Sequence, residues 1–116
     1  MNYIKKISLF FVIIMCLSLI GTQASAHPPG FMNLKYEENN LRVLIIHFSI
    51  APKGSHYVYR IEIEVNGELV QEENYEQQER FIFQIYNFEI SAEPGDEIIV
   101  TAYCSLFGQK VKSITV

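Results

Sequence analysis

The stretch His56-Tyr57-Val58-Tyr59-Arg60-Ile61-Glu62-Ile63-Glu64-Val65-Asn66-Gly67-Glu68-Leu69-Val70-Gln71-Glu72-Glu73-Asn74-Tyr75 decides the fold class. Tyr57, Tyr59, Ile61, Ile63 and Val65 alternate with Arg60, Glu62 and Glu64, the period of two that turns one row of side chains inward and the other to water. Asn66-Gly67 follows, a dipeptide suited to a hairpin turn whose two central residues need positive φ. Glu68 to Tyr75 then returns as a more polar strand, the composition of a sheet edge.

The same signals repeat on both sides of this hairpin. Leu41 to Phe48 is a β-branched apolar run, joined by the turn-like Glu37-Glu38-Asn39-Asn40 to a first strand around Met32 to Tyr36. Ala51 to Ser55 is a loop. Arg80 to Ile90 is a strand with apolar residues on both parities, which predicts a bulge or burial on two sides. After the turn Pro94-Gly95-Asp96, Glu97 to Cys104 and Gln109 to Val116 complete the set, with a short loop around Leu106-Phe107-Gly108 between them. Seven short strands without helical periodicity predict an all-β, immunoglobulin-like antiparallel β-sandwich over residues 27–116.

Residues 1–26 read differently. Lys5 and Lys6, the apolar run Ile7 to Ile20, the helix-breaking Gly21-Thr22-Gln23 and the small-residue site Ala24-Ser25-Ala26 have the order of a secretory signal peptide cleaved after Ala26. The apolar run is shorter than a spanning helix needs, so no membrane span is expected after cleavage. Cys16 follows Met15, where a lipidation site needs a small residue, so lipid attachment is not expected. The location implied is exported: periplasmic, cell-surface or secreted.

Cleavage changes what the composition allows. The whole chain has 116 residues, 3 His, 2 Cys and a formal charge of −4. Losing Lys5 and Lys6 but no acidic residue leaves about 90 residues and a charge of about −6. Such a surface carries no basic footprint for nucleic acid. One cysteine remains, Cys104, so no internal disulfide can form. The acidic Glu72, Glu73, Glu76 and Glu79 read as a solvated edge and turn.

Few residues can carry chemistry. There is no nucleophile-elbow serine, glycine-rich phosphate loop or CxxC pair. What remains is His27, His47, His56 and Cys104, all at strand ends or loops, where a sandwich leaves side chains room to converge. Taken singly, His47 suits a hydrogen-bonded core position, His56 a loop surface and Cys104 a small buried hydrophobe. Taken together, imidazole and thiolate are ligands for iron, copper or zinc.

His27-Pro28-Pro29, then His47, then His56-Tyr57-Val58-Tyr59-Arg60-Ile61-Glu62, then Ala102-Tyr103-Cys104-Ser105-Leu106-Phe107-Gly108 resemble the iron-binding domain of superoxide reductases, the desulfoferrodoxin and neelaredoxin family. That family's pattern runs KHxP, HP with a short loop to HY(I)xWIEL, and AYCNxHG. The resemblance spans nearly all of 27–116 and implies an immunoglobulin-like sandwich. It also implies four imidazoles around a ferrous ion, an axial thiolate, superoxide as small-molecule substrate and a separate electron-donor protein. Carried over by position, His27, His47, His56 and Cys104 match ligands. The fourth imidazole corresponds to Phe107, which would give the site one apolar wall. The lysine before the first histidine corresponds to Ala26, Phe48 replaces a proline, the loop from His47 to His56 is longer, and the acidic lid residue has no counterpart.

Two further readings use the same residues. After cleavage His27 would offer its α-amine beside its imidazole, and Pro28, which lacks an amide proton, would confine chelation to those two groups. That nitrogen set suits a copper or zinc carrier without turnover. The other reading is a non-catalytic immunoglobulin-like binding module in which these side chains pack. Convergence of the imidazoles and the thiol on one point separates the metal readings from this one.

Overall fold

The computed structural model describes residues 2–18 and 28–116. In chain order these form α1 (Asn2–Ser18), β1 (Phe31–Glu37), β2 (Asn40–Ile46), β3 (Val58–Val65), β4 (Glu68–Asn74), β5 (Phe83–Glu89), β6 (Glu97–Cys104) and β7 (Gln109–Thr115). The expected cleavage site and His27 lie outside the described residues. The α1 helix covers Lys5, Lys6 and most of the apolar run. No described helix is long and apolar enough to cross a membrane.

The seven strands make two antiparallel sheets, β1-β2-β5 and β4-β3-β6-β7. The predicted sandwich is therefore present, with β4 paired to β3 rather than joined to the first sheet as in a constant-type immunoglobulin domain. Its core lies between the sheets and is built from the inward row of each strand: Met32 and Leu34, Leu41, Val43 and Ile45, Val58, Ile61 and Ile63, Phe88, and Ile98, Val100 and Ala102. β4 is the polar edge its composition predicts.

Turn chemistry accounts for the hairpins. Asn66 and Gly67 both have positive φ, 50° and 82°, as a two-residue hairpin turn requires. Glu38 and Asn39 at the β1–β2 turn do the same at 51° and 62°. Asp96 accepts hydrogen bonds from the Glu93 amide and the Asn66 side chain, which hold its carboxyl below its ordinary pKa and tie the β5–β6 turn to the β3–β4 hairpin.

Two details differ from the sequence reading. The β2–β5 ladder is regular from Asn40↔Glu89 to Ile46↔Phe83, with no bulge in β5. The extra apolar residues of β5 stand outward instead, where Phe83 and Ile85 adjoin Ile46 and Phe31 in an exposed apolar patch on the first sheet. The irregularities lie elsewhere, in the β3–β4 pairing at Ile63/Glu64 and at the start of β3. There Val58 pairs with Cys104 and Arg60 with Tyr103, so Tyr59 is the inserted residue. This shifts the parity: Val58, not Tyr57 or Tyr59, continues the inward row of Ile61 and Ile63.

Tyr75, just past β4, and Tyr86 on β5 link the two sheets, with ring centroids 5.0 Å apart. Burial, with Glu73 nearby, pushes the Tyr75 phenol from its ordinary 10.0 up to about 12. Burial, then Tyr75 and Glu79, raise Tyr86 further. Both folded pKa values lie above the unfolded one, so their stabilisation is complete below pH 10 and is lost as pH rises toward the folded values. Denaturant midpoints measured across this range should fall, and Tyr86→Phe should flatten that fall. An unchanged slope in the variant would show that another group causes it.

Candidate metal centre

The inward rows of three strands run out at the same end of the sandwich. On β2, Leu41, Val43 and Ile45 are wholly buried, and the same parity carries the chain to His47, only 1% exposed. On β6, Ile98, Val100 and Ala102 lead in the same way to Cys104, 4% exposed. On β3, the bulge turns Val58 inward and sets His56, two residues earlier, beside the Cys104 end of β6. β3 and β6 are neighbours in one sheet and β2 belongs to the other, so the three side chains meet between the sheets.

Their ligand atoms all lie within 4.8 Å of one another. Atoms bound at the usual 2.0–2.3 Å from a common ion lie about 3.3–4.5 Å apart, so a small closure would seat a metal. The donor set, two borderline imidazoles and a soft thiol, suits iron, zinc or copper. The imidazoles of His47 and His56 meet edge to face, centroids 4.6 Å apart at 86°, and the Nε2 atoms of both are buried.

Backbone bonds hold each donor in place. The His47 amide donates to the Ile82 carbonyl at 2.8 Å and the Ser49 amide to Phe81 at 2.7 Å, which extend the β2–β5 pairing past its last ladder residue. The His56 amide donates to Ala51 at 3.1 Å, and the Ser49 hydroxyl donates to the His56 carbonyl. Ser105 joins the other two segments: its hydroxyl accepts from the Tyr57 amide at 2.9 Å and its amide donates to the Tyr57 carbonyl at 2.8 Å. Cys104 N–H donates to the Gly108 carbonyl at 3.0 Å, closing the turn after the cysteine.

The chain enters this region along the same end. Gly30 N–H donates to the Ile46 carbonyl at 2.9 Å, one residue before His47. Pro28 lies against Gly108: a Cβ added there would stand 3.0 Å from the Pro28 Cβ, and Gly108 has a φ of 81°. A side chain at this position would be strained by the backbone conformation and would press on the Pro28 ring.

Of the four ligand candidates, the structure brings His47, His56 and Cys104 together; His27 lies outside the described residues. Phe107 stands 69% exposed on the tight turn that Cys104 N–H and the Gly108 carbonyl close. The sequence reading overlooked Gln78. It lies in the polar run Gln71 to Arg80, which looks like a solvated loop, yet it is wholly buried. Its Oε1 lies 2.8 Å from His47 Nδ1 and accepts from the Val58 amide at 3.3 Å, while its Nε2 donates to the carbonyls of His47 and Arg80, each at 2.8 Å. Nothing in the residue pattern distinguishes Gln78 from Gln77.

No protein-family model and no curated protein matches the chain. Among solved structures, superoxide reductase from Nanoarchaeum equitans is similar at 14% identity and a TM-score of 0.44, over 81% of this chain and 95% of that one. A superoxide reductase in its oxidised state is similar at 13% identity and a TM-score of 0.42, over 83% of this chain and 92% of that one.

Proposed function

We propose that this chain is an exported, mononuclear iron-binding domain that reduces superoxide to peroxide, with His47, His56, Cys104 and His27 as ligands. The observation that carries the metal reading is the convergence of two imidazoles and a thiol, from three chain segments, within 4.8 Å. Buried cysteine alone is common, but two imidazoles and a thiol drawn from three chain segments to one end of a core are the ligand types that hold iron, zinc or copper. The motifs around His56-Tyr57 and Ala102-Tyr103-Cys104 favour iron and superoxide. His27 as fourth ligand is supported by the seating of Pro28 against Gly108, at the turn that follows Cys104. Export is supported by the order of Lys5 and Lys6, the apolar run Ile7 to Ile20 and the small residues Ala24-Ser25-Ala26 in the sequence.

Bound ferrous iron would supply one electron that, with two protons, turns superoxide into hydrogen peroxide, a separate donor protein restoring the electron. The chain's own contribution would be to hold the metal between two imidazoles and the Cys104 sulfur at the buried end of the sandwich. Thiolate sulfur gives electron density to a metal and favours its oxidised state more than imidazole does.

The test uses the protein as its host releases it. N-terminal sequencing should read His27 first, and anaerobic titration should show one equivalent of ferrous iron bound. His27→Ala should weaken that binding at least tenfold while leaving the fold intact, and the iron-loaded protein should consume superoxide with formation of peroxide. Failure to bind iron, zinc or copper would overturn the metal reading. Tight binding of zinc or copper without superoxide turnover would replace it with the carrier reading.

A further inference from the structure

The four hydrogen bonds of Gln78 determine more than its own position. A side-chain amide can be turned either way, but here the two carbonyls of His47 and Arg80 both require donors, and the Val58 amide requires an acceptor. The nitrogen therefore faces the carbonyls and the oxygen faces Val58 and His47. An acceptor 2.8 Å from His47 Nδ1 requires a proton on that nitrogen. In the neutral ring Nε2 is then left with the lone pair. The backbone thus orients the amide, and the amide orients the proton on the ring.

We propose that Gln78 is a positioning residue that holds His47 in its Nδ1–H tautomer and reserves Nε2 for the metal. This rests on the metal reading above for what Nε2 binds, but the tautomer itself is a property of the metal-free chain. The amide is a neutral acceptor, so it orients the ring without adding a negative charge to the site, unlike a carboxylate partner. Gln78 is itself anchored: its backbone N–H donates to the Pro52 carbonyl at 2.7 Å, and the side chain of Gln84, also buried, accepts from the Glu79 backbone N–H and donates to the Arg80 carbonyl. The segment 78–80 is thereby fixed to both the His56 loop and β5.

The test labels the histidines of the full chain with 15N and records long-range proton–nitrogen spectra without metal, followed by anaerobic cobalt titration. In the wild type, His47 should show a protonated Nδ1 and an unprotonated Nε2. Gln78→Met, of similar length but without an acceptor, should lose that pattern and bind cobalt about 10- to 100-fold more weakly, the usual cost of removing an outer partner of a ligand. Gln78→Glu keeps an acceptor for the ring but cannot donate to the two carbonyls. It should restore the Nδ1–H tautomer and recover much of the cobalt affinity, which bracing of the backbone alone would not do.

A wild-type His47 protonated on Nε2 would overturn the proposal even if Gln78→Met fails to fold. So would a folded Gln78→Met with unchanged tautomer and affinity, or a Gln78→Glu variant as impaired as Gln78→Met. A wild-type chain that holds the tautomer but binds no cobalt would overturn the metal reading while leaving the hold of Gln78 on the ring intact.

Discussion

Changing Cys104 to serine should abolish the sulfur-to-metal charge-transfer absorption of the cobalt-loaded protein and weaken binding by more than the roughly 10- to 100-fold that an outer-shell change costs. The thiol is the only soft donor among the three convergent groups, and a hydroxyl is a poor ligand for a metal that prefers thiolate. Serine is close in size, and its backbone can keep the bond from residue 104 to the Gly108 carbonyl, so the fold should survive. Circular dichroism and thermal melting of the metal-free variant check that condition. A Cys104→Ser protein that retains the absorption band and wild-type affinity would show that sulfur does not bind the metal, and would leave Cys104 as a packed core residue.

The second large effect is on stability. Ile61 lies at the middle of β3, wholly buried, paired with Ala102 on one side and Glu73 on the other. Ile61→Ala should cost about 2–5 kcal/mol, the range for deleting a large aliphatic side chain from a core that cannot fully collapse. For a domain of this size that lowers the melting temperature by roughly 10 °C or more. Ile85→Ala, on the outward face of β5 at 42% exposure, should change stability by no more than about 0.5 kcal/mol. Equal losses at the two positions would contradict the inward and outward faces described for the sandwich. Ile61→Ala should also weaken metal binding only as far as it unfolds the chain, because Ile61 is five residues from His56 and pairs with Ala102 rather than with Cys104.

Much of the architecture was legible because strand alternation is a local property. The charged row of β3, the Asn66-Gly67 turn, the Pro94-Gly95 turn and the polar β4 each announce themselves in a few residues, and each is found where the pattern placed it. The same logic reaches part of the site. Counting in twos from Leu41 brings the inward row to His47, and counting from Ile98 brings it to Cys104. What failed was parity across irregularities. Tyr59 looked inward because the bulge that displaces it arises from pairing with β6, and β5 looked irregular because nothing local reveals that Phe83 and Ile85 share an exposed face with Phe31 and Ile46.

By itself the sequence determined the strand set, the turns and a short inventory of residues able to bind metal, since backbone preference and hydrophobic period act over neighbouring residues. Only the tertiary structure decided that two histidines and a cysteine from three segments come within 4.8 Å, and that Gln78 rather than Gln77 lies buried against His47. The physical reason is the same for both. Convergence depends on where three inward rows end once two sheets have packed, and the burial of one glutamine depends on the backbone carbonyls of His47 and Arg80, to which it donates between β2 and β5.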